Sequence, residues 1–493
     1  MPSPMHSPPP PPPGVGTPDE VETRLGTLKL RDGVPDASTA EKVYENLDFQ
    51  RGVQAFLSTI QVASMFALRR GITSFGPPNK SVLLFEDLMD TNSLWLTANT
   101  DSVYCAMWLD LSEGPMMIRT PPSVLGFINT FWFKYVTDFG NCGPDQGKGG
   151  CYLVLPPDYK GNVEDVLGPD HSCWVVQSPT YSNWCLFRGF LVKGSTETAV
   201  ENAKKNFRCY PFRNASTPSS WPEMQFVNAS GTVHNTIHSM DFEFFEEVNT
   251  VVQEEPPEGC DPEILGLLRS IGIEKGKPFA PDARMKKILI EAAAVGSVTA
   301  RAVLTHPRGD KFLVYPDTKS SWTRPFVGGS HEFLDGATGA RLLDARTMFH
   351  FYATGITPAM VRPPTGTGSA YACAFLDSEK NPFRGDKHYR LHLPPNIPAK
   401  NFWSVCVYDN QTRSMLPTPS KKPAVGSQKP DLKVNADGSV DVFFGPSVKE
   451  GMEASNWVQT LADRGWNSIF RLYGPLEPWY EQTWRPSEIV PLP

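Results

Sequence analysis

No run of Lys or Arg in this chain exceeds two residues, no Cys-x-x-Cys pair occurs, and no stretch of 18 or more consecutive apolar residues is present. The first absence argues against a nucleic-acid footprint, which needs a concentrated basic face to displace counterions. The second argues against a structural zinc site, and the third against a membrane-spanning segment. The first twenty residues have neither a basic n-region nor an apolar h-region, so they do not read as a secretory leader. Nine cysteines, an odd number at irregular spacing, are expected to be mostly thiols in a cytoplasmic protein. Cys142 and Cys151, which flank a Gly-rich loop, are the one close pair able to bridge if the chain were exported.

What is present is enough apolar bulk for globular domains. Hydrophobic residues make up 40% and aromatics 11%, including 12 Trp and 29 Phe, and 493 residues suggest two or three domains. The net charge of -7 favours solubility and names no partner.

The period of the apolar residues changes along the chain. Residues 1–40, with Pro8 to Pro13 unbroken, are expected to be a disordered polyproline tail. Over residues 41–71, Phe49, Val53, Phe56, Ile60, Met65 and Leu68 recur at helical spacing. From Val103 the period becomes two, with Cys105, Met107 and Leu109 alternating against Tyr104, Ala106 and Trp108. Further strand-like runs follow at 116–118, 127–136, 152–155, 173–177 and 184–192. Helical patterns cover 197–206, 241–251, 262–271 and 282–304, with Asp261 and Pro262 as N-cap and first helical residue. After a last helix over 341–352, strands return at 371–376, 389–393, 402–408, 440–444 and 469–473. Asp437-Gly438 marks a hairpin turn there, and 412–433 reads as a long loop. The expected class is α+β, mostly β. Its units are an N-terminal helix plus β-sandwich-like unit (41–195), a helical connector (196–340) and a second β-sandwich-like unit (341–493).

Several short motifs share one resemblance. Asn99-Thr100-Asp101-Ser102-Val103-Tyr104, Trp108-Leu109-Asp110-Leu111, Gly114-Pro115, Tyr152 and Arg188 stand in the first half. Ile271-Gly272-Ile273, Gly276-Lys277 and Phe279 follow in the middle. Tyr371, Asp377, Gly385, Tyr389, Phe402-Trp403-Ser404, Tyr408-Asp409, Asp437-Gly438, Asn456-Trp457 and Arg471-Leu472-Tyr473 come last. In order and spacing the chain resembles a microbial family that pairs two domains of unknown function, numbered twelve-fifty-four on the N-terminal side and twelve-fourteen on the C-terminal side. The resemblance implies two β-sandwich-like units with intervening helices, and little chemistry. The segment 142–151 departs from the family pattern.

Motifs that would name a reaction fail. The loop 140–150 contains Gly147-Lys148, yet Cys142 and Gly149 occupy the places where a phosphate-binding loop needs Gly and Ser or Thr; it reads as a mobile surface loop or lid. No Gly-x-Ser-x-Gly elbow occurs. His234 and His238, four apart, would share a helical face and hold zinc with Asp241 or Glu243, but Asn235 replaces the usual glutamate.

The better candidates are ionisable residues inside apolar strands, because burying such a group costs several kcal/mol unless it is paired or used. Asp101 supplies a carboxylate base, Tyr104 a phenolic donor and Arg188 a grip on an anion or carbonyl. Each also has a structural reading: Asp101 as a turn cap, Tyr104 as a core ring, Arg188 as an ion-pair partner of Asp101. Arg346 with His350, on one helical face, and Asp377 are further candidates. The leading expectation is a cofactor-free enzyme of small-molecule, including secondary, metabolism that moves protons in hydrolysis, elimination or isomerisation. The rival is a non-catalytic ligand-binding or assembly module, such as a homo-oligomeric shell.

Overall fold

A computed structural model describes residues 12–164, 172–215, 217–316 and 318–493. Its organising element is helix α1 (Ala37–Thr73), started by Asp36, whose side chain accepts from the Thr39 N–H at 2.7 Å. The helical spacing of Phe49, Val53, Phe56, Ile60, Met65 and Leu68 implied one apolar face and one polar face. From Gly52 onward it is instead buried on nearly every side, Ser58, Thr59, Gln61 and Ser64 included, because helices and sheets surround it.

The expected disordered tail ends well before residue 40. Glu20–Thr23, Gly26–Arg31 and Val34–Pro35 form an antiparallel meander. The Lys29 N–H donates to the Thr39 hydroxyl and ties that meander to α1. Thr27, Leu28 and Leu30 are half-buried in it, a short apolar signal masked by its charged neighbours. Most of the polyproline run falls in residues 1–11, outside the described residues.

The N-terminal sandwich has a six-stranded and a four-stranded sheet. Its strands are β1 (Ser81–Leu84), β2 (Ser102–Asp110), β3 (Met116–Thr120), β4 (Leu125–Thr130), β5 (Tyr135–Gly140), β6 (Gly150–Leu155), β7 (Cys173–Gln177) and β8 (Ser182–Phe190). Helix α2 (Glu197–Asn206), β9 (Arg208–Pro211) and β10 (Gln225–Asn228) complete it. The sheet orders are β10-β1-β2-β8-β4-β5 and β7-β6-β3-β9. Strand β2 is apolar on both faces for a reason visible in the packing. Val103, Cys105, Met107 and Leu109 fill the core between the two sheets, while Ala106 and Trp108 face the helices. The run 127–136, expected to be one strand, is two, β4 and β5. Their turn carries Phe131, Trp132 and Phe133 into the helical core, so the usual polar turn signal is missing. Because α2, β9 and β10 belong to this sandwich, the connector expected from residue 196 begins later.

The helical layer holds α1 with α3 (Glu243–Glu254), α4 (Pro262–Ser270), α5 (Ala283–Thr305) and α6 (Leu343–Tyr352). Helices α1 and α5 approach closely through small residues: a Cβ on Gly296 would stand 2.7 Å from the Phe56 ring. Among the described residues α5 alone is long and apolar enough to cross a membrane by length and composition. One stripe of it, with Leu289, Ala292, Ala293, Gly296 and Ala300, is buried against the protein, while Ile290, Val295 and Val298 are exposed.

The C-terminal sandwich is built from β11 (Trp322–Thr323), β12 (Ser369–Ala374), β13 (His388–Leu393), β14 (Ala399–Asp409), β15 (Ala424–Gly426), β16 (Val440–Gly445), β17 (Trp457–Gln459), β18 (Trp466–Pro475) and β19 (Val490–Leu492). The sheet orders are β11-β12-β18-β14-β15 and β17-β16-β13-β19. Gly438 takes the positive φ (+87°) of the expected turn. The residues before it make no strand, however, and β16 pairs with β13 and β17. The class is α+β with two β-sandwiches, as the sequence indicated.

Candidate functional site

The two large sheets and α6 enclose a cavity of about 1090 Å³, counting its open mouth. Its walls are mainly apolar: Trp95, Phe127, Leu186, Phe326, Phe349 and Ile469 among them. Polar groups enter from both sandwiches. On the N-terminal side Arg188 of β8 and Tyr104 of β2 are direct cross-strand partners. On the C-terminal side Arg471 of β18 and Tyr371 of β12 stand in the same relation. All four line the cavity. Two strands of each sheet thus present one arginine and one tyrosine to a shared space.

The arginines cross over. Arg188 reaches Ser369 of β12 at 3.4 Å and bonds to the Tyr371 hydroxyl. Arg471 donates through Nη2 to the Thr97 carbonyl at 2.7 Å, while its Nη1, buried, has no partner in the protein. Tyr104 accepts from Asn99 Nδ2 at 2.8 Å, which leaves its own O–H to donate. Burial raises the Tyr104 pKa against the pull of Arg188, so the phenol stays protonated at neutral pH.

Of the three residues singled out from sequence, Tyr104 and Arg188 come together in the cavity and Asp101 does not line it. Asp101 lies behind, where its Oδ2 accepts from the Ser404 hydroxyl at 2.6 Å and from Tyr473 at 3.2 Å. Burial raises its pKa, opposed by Ser404, Arg471, Tyr473 and Arg188. Arg188 forms no ion pair with it within 4.0 Å among the described residues.

Asp138 on β5 was missed. It lines the cavity, is 7% exposed, and bonds to Thr357 and Tyr135. Burial pushes its pKa up to about 7 against those hydrogen bonds, the range of a general acid or base at neutral pH. The rule that picked Arg188, an ionisable group in an apolar strand, would have found Asp138 had β5 been recognised.

The remaining candidates are structural or lie elsewhere. His234 and His238 do not share a helical face, since the segment is extended. Trp95 Nε1 donates to His234 Nε2 at 2.7 Å, while His234 Nδ1 faces the Thr232 carbonyl at 2.9 Å. Asp377 accepts from Glu379 and Asn381 N–H groups and caps a turn. Loop 140–150 is folded around the buried Asp145, which accepts from Gly140 N–H and Tyr152 OH, and it contributes Cys142 to the cavity wall. Cys142 is therefore not the partner of Cys151. Cys151 is joined instead to Cys173, its register neighbour on the parallel strand β7, with Cα atoms 4.6 Å apart. Arg346 and His350 line a different cavity.

The fold and site define a two-sandwich protein with a cavity between its large sheets. Two family models match it, one described as protein of unknown function (DUF1254) over residues 80–211 and one as protein of unknown function (DUF1214) over residues 368–477. The chain thus carries these two domains, the first on the N-terminal and the second on the C-terminal side. The VPA0106 protein from Vibrio parahaemolyticus is similar in structure, with a TM-score of 0.53 and 15% identity over 90% of this chain and 100% of that one. An uncharacterised protein from Burkholderia cenocepacia aligns over 92% of this chain and 97% of that one, at a TM-score of 0.37 and 12% identity. No curated protein matches the sequence.

Proposed function

We propose that the protein is an enzyme of small-molecule metabolism that moves a proton on a largely apolar organic molecule bearing a carbonyl or carboxylate oxygen. The observation that carries this reading is the buried Arg471 Nη1, unpartnered at the wall of an apolar cavity that also holds Arg188, Tyr104 and Asp138. The two guanidinium groups, one of them with an N–H still free to donate, favour an anionic ligand or a developing oxyanion. In this reading Asp138 takes a proton from carbon beside the carbonyl. The electron pair moves onto the carbonyl oxygen, which Arg471 and the Tyr104 O–H hold, and the proton returns elsewhere on the product. Asp101 acts as a positioning residue through Ser404 and Tyr473.

The test is deuterium incorporation from D2O into small keto and aryl acids that raise the protein's melting temperature, followed by proton NMR. Wild type is expected to exchange a C–H that Asp138→Asn leaves untouched. Ligands that bind without any exchange or turnover would instead support the non-catalytic binding module.

A further inference from the structure

A second cavity, of about 980 Å³ with its mouth, lies on the other face of α6. Phe349 faces the first cavity, while Arg346 and His350 wall the second together with Gln61 of α1 and Trp132 of the β4–β5 turn. Those last four side chains are 9%, 5%, 8% and 4% exposed in that order. Each carries a buried polar atom with no partner in the protein: Arg346 Nε, His350 Nδ1, Gln61 Oε1 and Trp132 Nε1.

Buried side-chain polar groups have a partner, protein or water, in the large majority of cases, so four atoms on one wall without a protein partner mark a place built to hold something polar. Three of them are donors or can donate, and the fourth is a carbonyl acceptor. Arg346 Nη2 reaches Ser58 Oγ at 3.3 Å, and no carboxylate among the described residues stands within 4.0 Å of its guanidinium. A buried guanidinium without a counter-charge is costly. Lys134 and Arg341 add positive charge against Asp261 and Glu332, and Phe133 and Phe333 supply flat apolar flanks.

We propose that this cavity is a second ligand site, selective for a small organic carboxylate whose anionic group sits on Arg346 and Trp132 and whose apolar part lies between Phe133 and Phe333. Gln61 takes a hydroxyl of that ligand, and His350 donates from a ring that burial holds neutral. The site is independent of the proton-transfer reading of the first cavity.

The experiment follows the Trp132 indole N–H in nitrogen-15 tryptophan spectra of the full chain, assigned by Trp132→Phe. Benzoate, added to wild type, is expected to shift that resonance, while benzamide, the neutral isostere, leaves it in place. Arg346→Gln should weaken the benzoate effect by roughly tenfold or more, and Arg346→Lys by less. Arg471→Gln, which alters the first cavity, should leave it unchanged. A Trp132 resonance in wild type that ignores benzoate, or that answers benzoate and benzamide alike, overturns the proposal without reference to how any variant folds.

Discussion

The Ser404 hydroxyl of the C-terminal sandwich donates to the Asp101 carboxylate of the N-terminal one at 2.6 Å. Both residues lie within motifs visible in the sequence, 303 positions apart, and the bond fastens the two large sheets beside the cavity. A charge-assisted hydrogen bond of this kind contributes about 1.5–3 kcal/mol. In a double-mutant cycle, Asp101→Asn and Ser404→Ala are expected to couple by about 1 kcal/mol or more in urea unfolding. Strict additivity would remove the bond from the account of stability.

Asp138 sets a pH dependence whose sign is unusual for a carboxylate. Its folded pKa, about 7, lies above the ordinary 3.8, so between those values the folded state holds a proton that the unfolded state has lost. Stability is full below the lower value and falls by up to about 1.4 kcal/mol per pH unit until pH reaches about 7. Asp138→Asn should therefore melt higher than wild type at pH 8 and match it near pH 4. Equal melting curves at both would contradict the burial assigned here. Tyr135→Phe removes a hydrogen bond that lowers the Asp138 pKa, and should move the wild-type transition to higher pH.

The pairing of Cys151 with Cys173 leaves seven free thiols of nine. Thiol titration of oxidised protein in denaturant should count seven, rising to nine after reduction. Cys173→Ser should lower stability by about 3 kcal/mol relative to the oxidised form, as expected for a loop of this length. A count of nine before reduction would place both residues among the thiols.

His234 is engaged at both ring nitrogens, by Trp95 and by the Thr232 carbonyl. His234→Ala should cost about 1–3 kcal/mol by orphaning the Trp95 indole. A chelator should leave the melting temperature of wild type where it is. A metal-dependent rise restored by one transition metal would reopen the pair as ligands.

Sequence periodicity located every long helix and the longer strands of both sandwiches, because helix and strand periods differ and because Asp261-Pro262 and similar caps are local chemistry. It did not locate β1, β9, β10, β11, β15, β17 and β19, which at two to four residues are too short to show a period. Three other features that it missed share one cause. The Phe131 to Phe133 turn is apolar because it enters the helical layer, and Val103 to Leu109 is apolar on both faces because sheets and helices cover both. The Cys151 and Cys173 pairing depends on which strands lie parallel. Each of these is decided by what packs alongside, and local spacing does not record it. The same holds for the site: Tyr104 and Arg188 stood out as polar residues in apolar strands, whereas Arg471 and Tyr371 acquired meaning only once their sheet was set opposite. Asp101 was legible as unusual, and its role as a tie between halves was not.

The helical layer has a further consequence. Trp108 and Trp184 from one sandwich, and Tyr408 and Ile469 from the other, share a single apolar core with α1 and α5. The two stretches that the family models match, 80–211 and 368–477, are therefore not expected to fold as separate units. Either one expressed alone would present a broad greasy sheet face to water and aggregate, and the intact chain is expected to melt as one unit. Any redesign that swaps one half must carry the spine of helices with it.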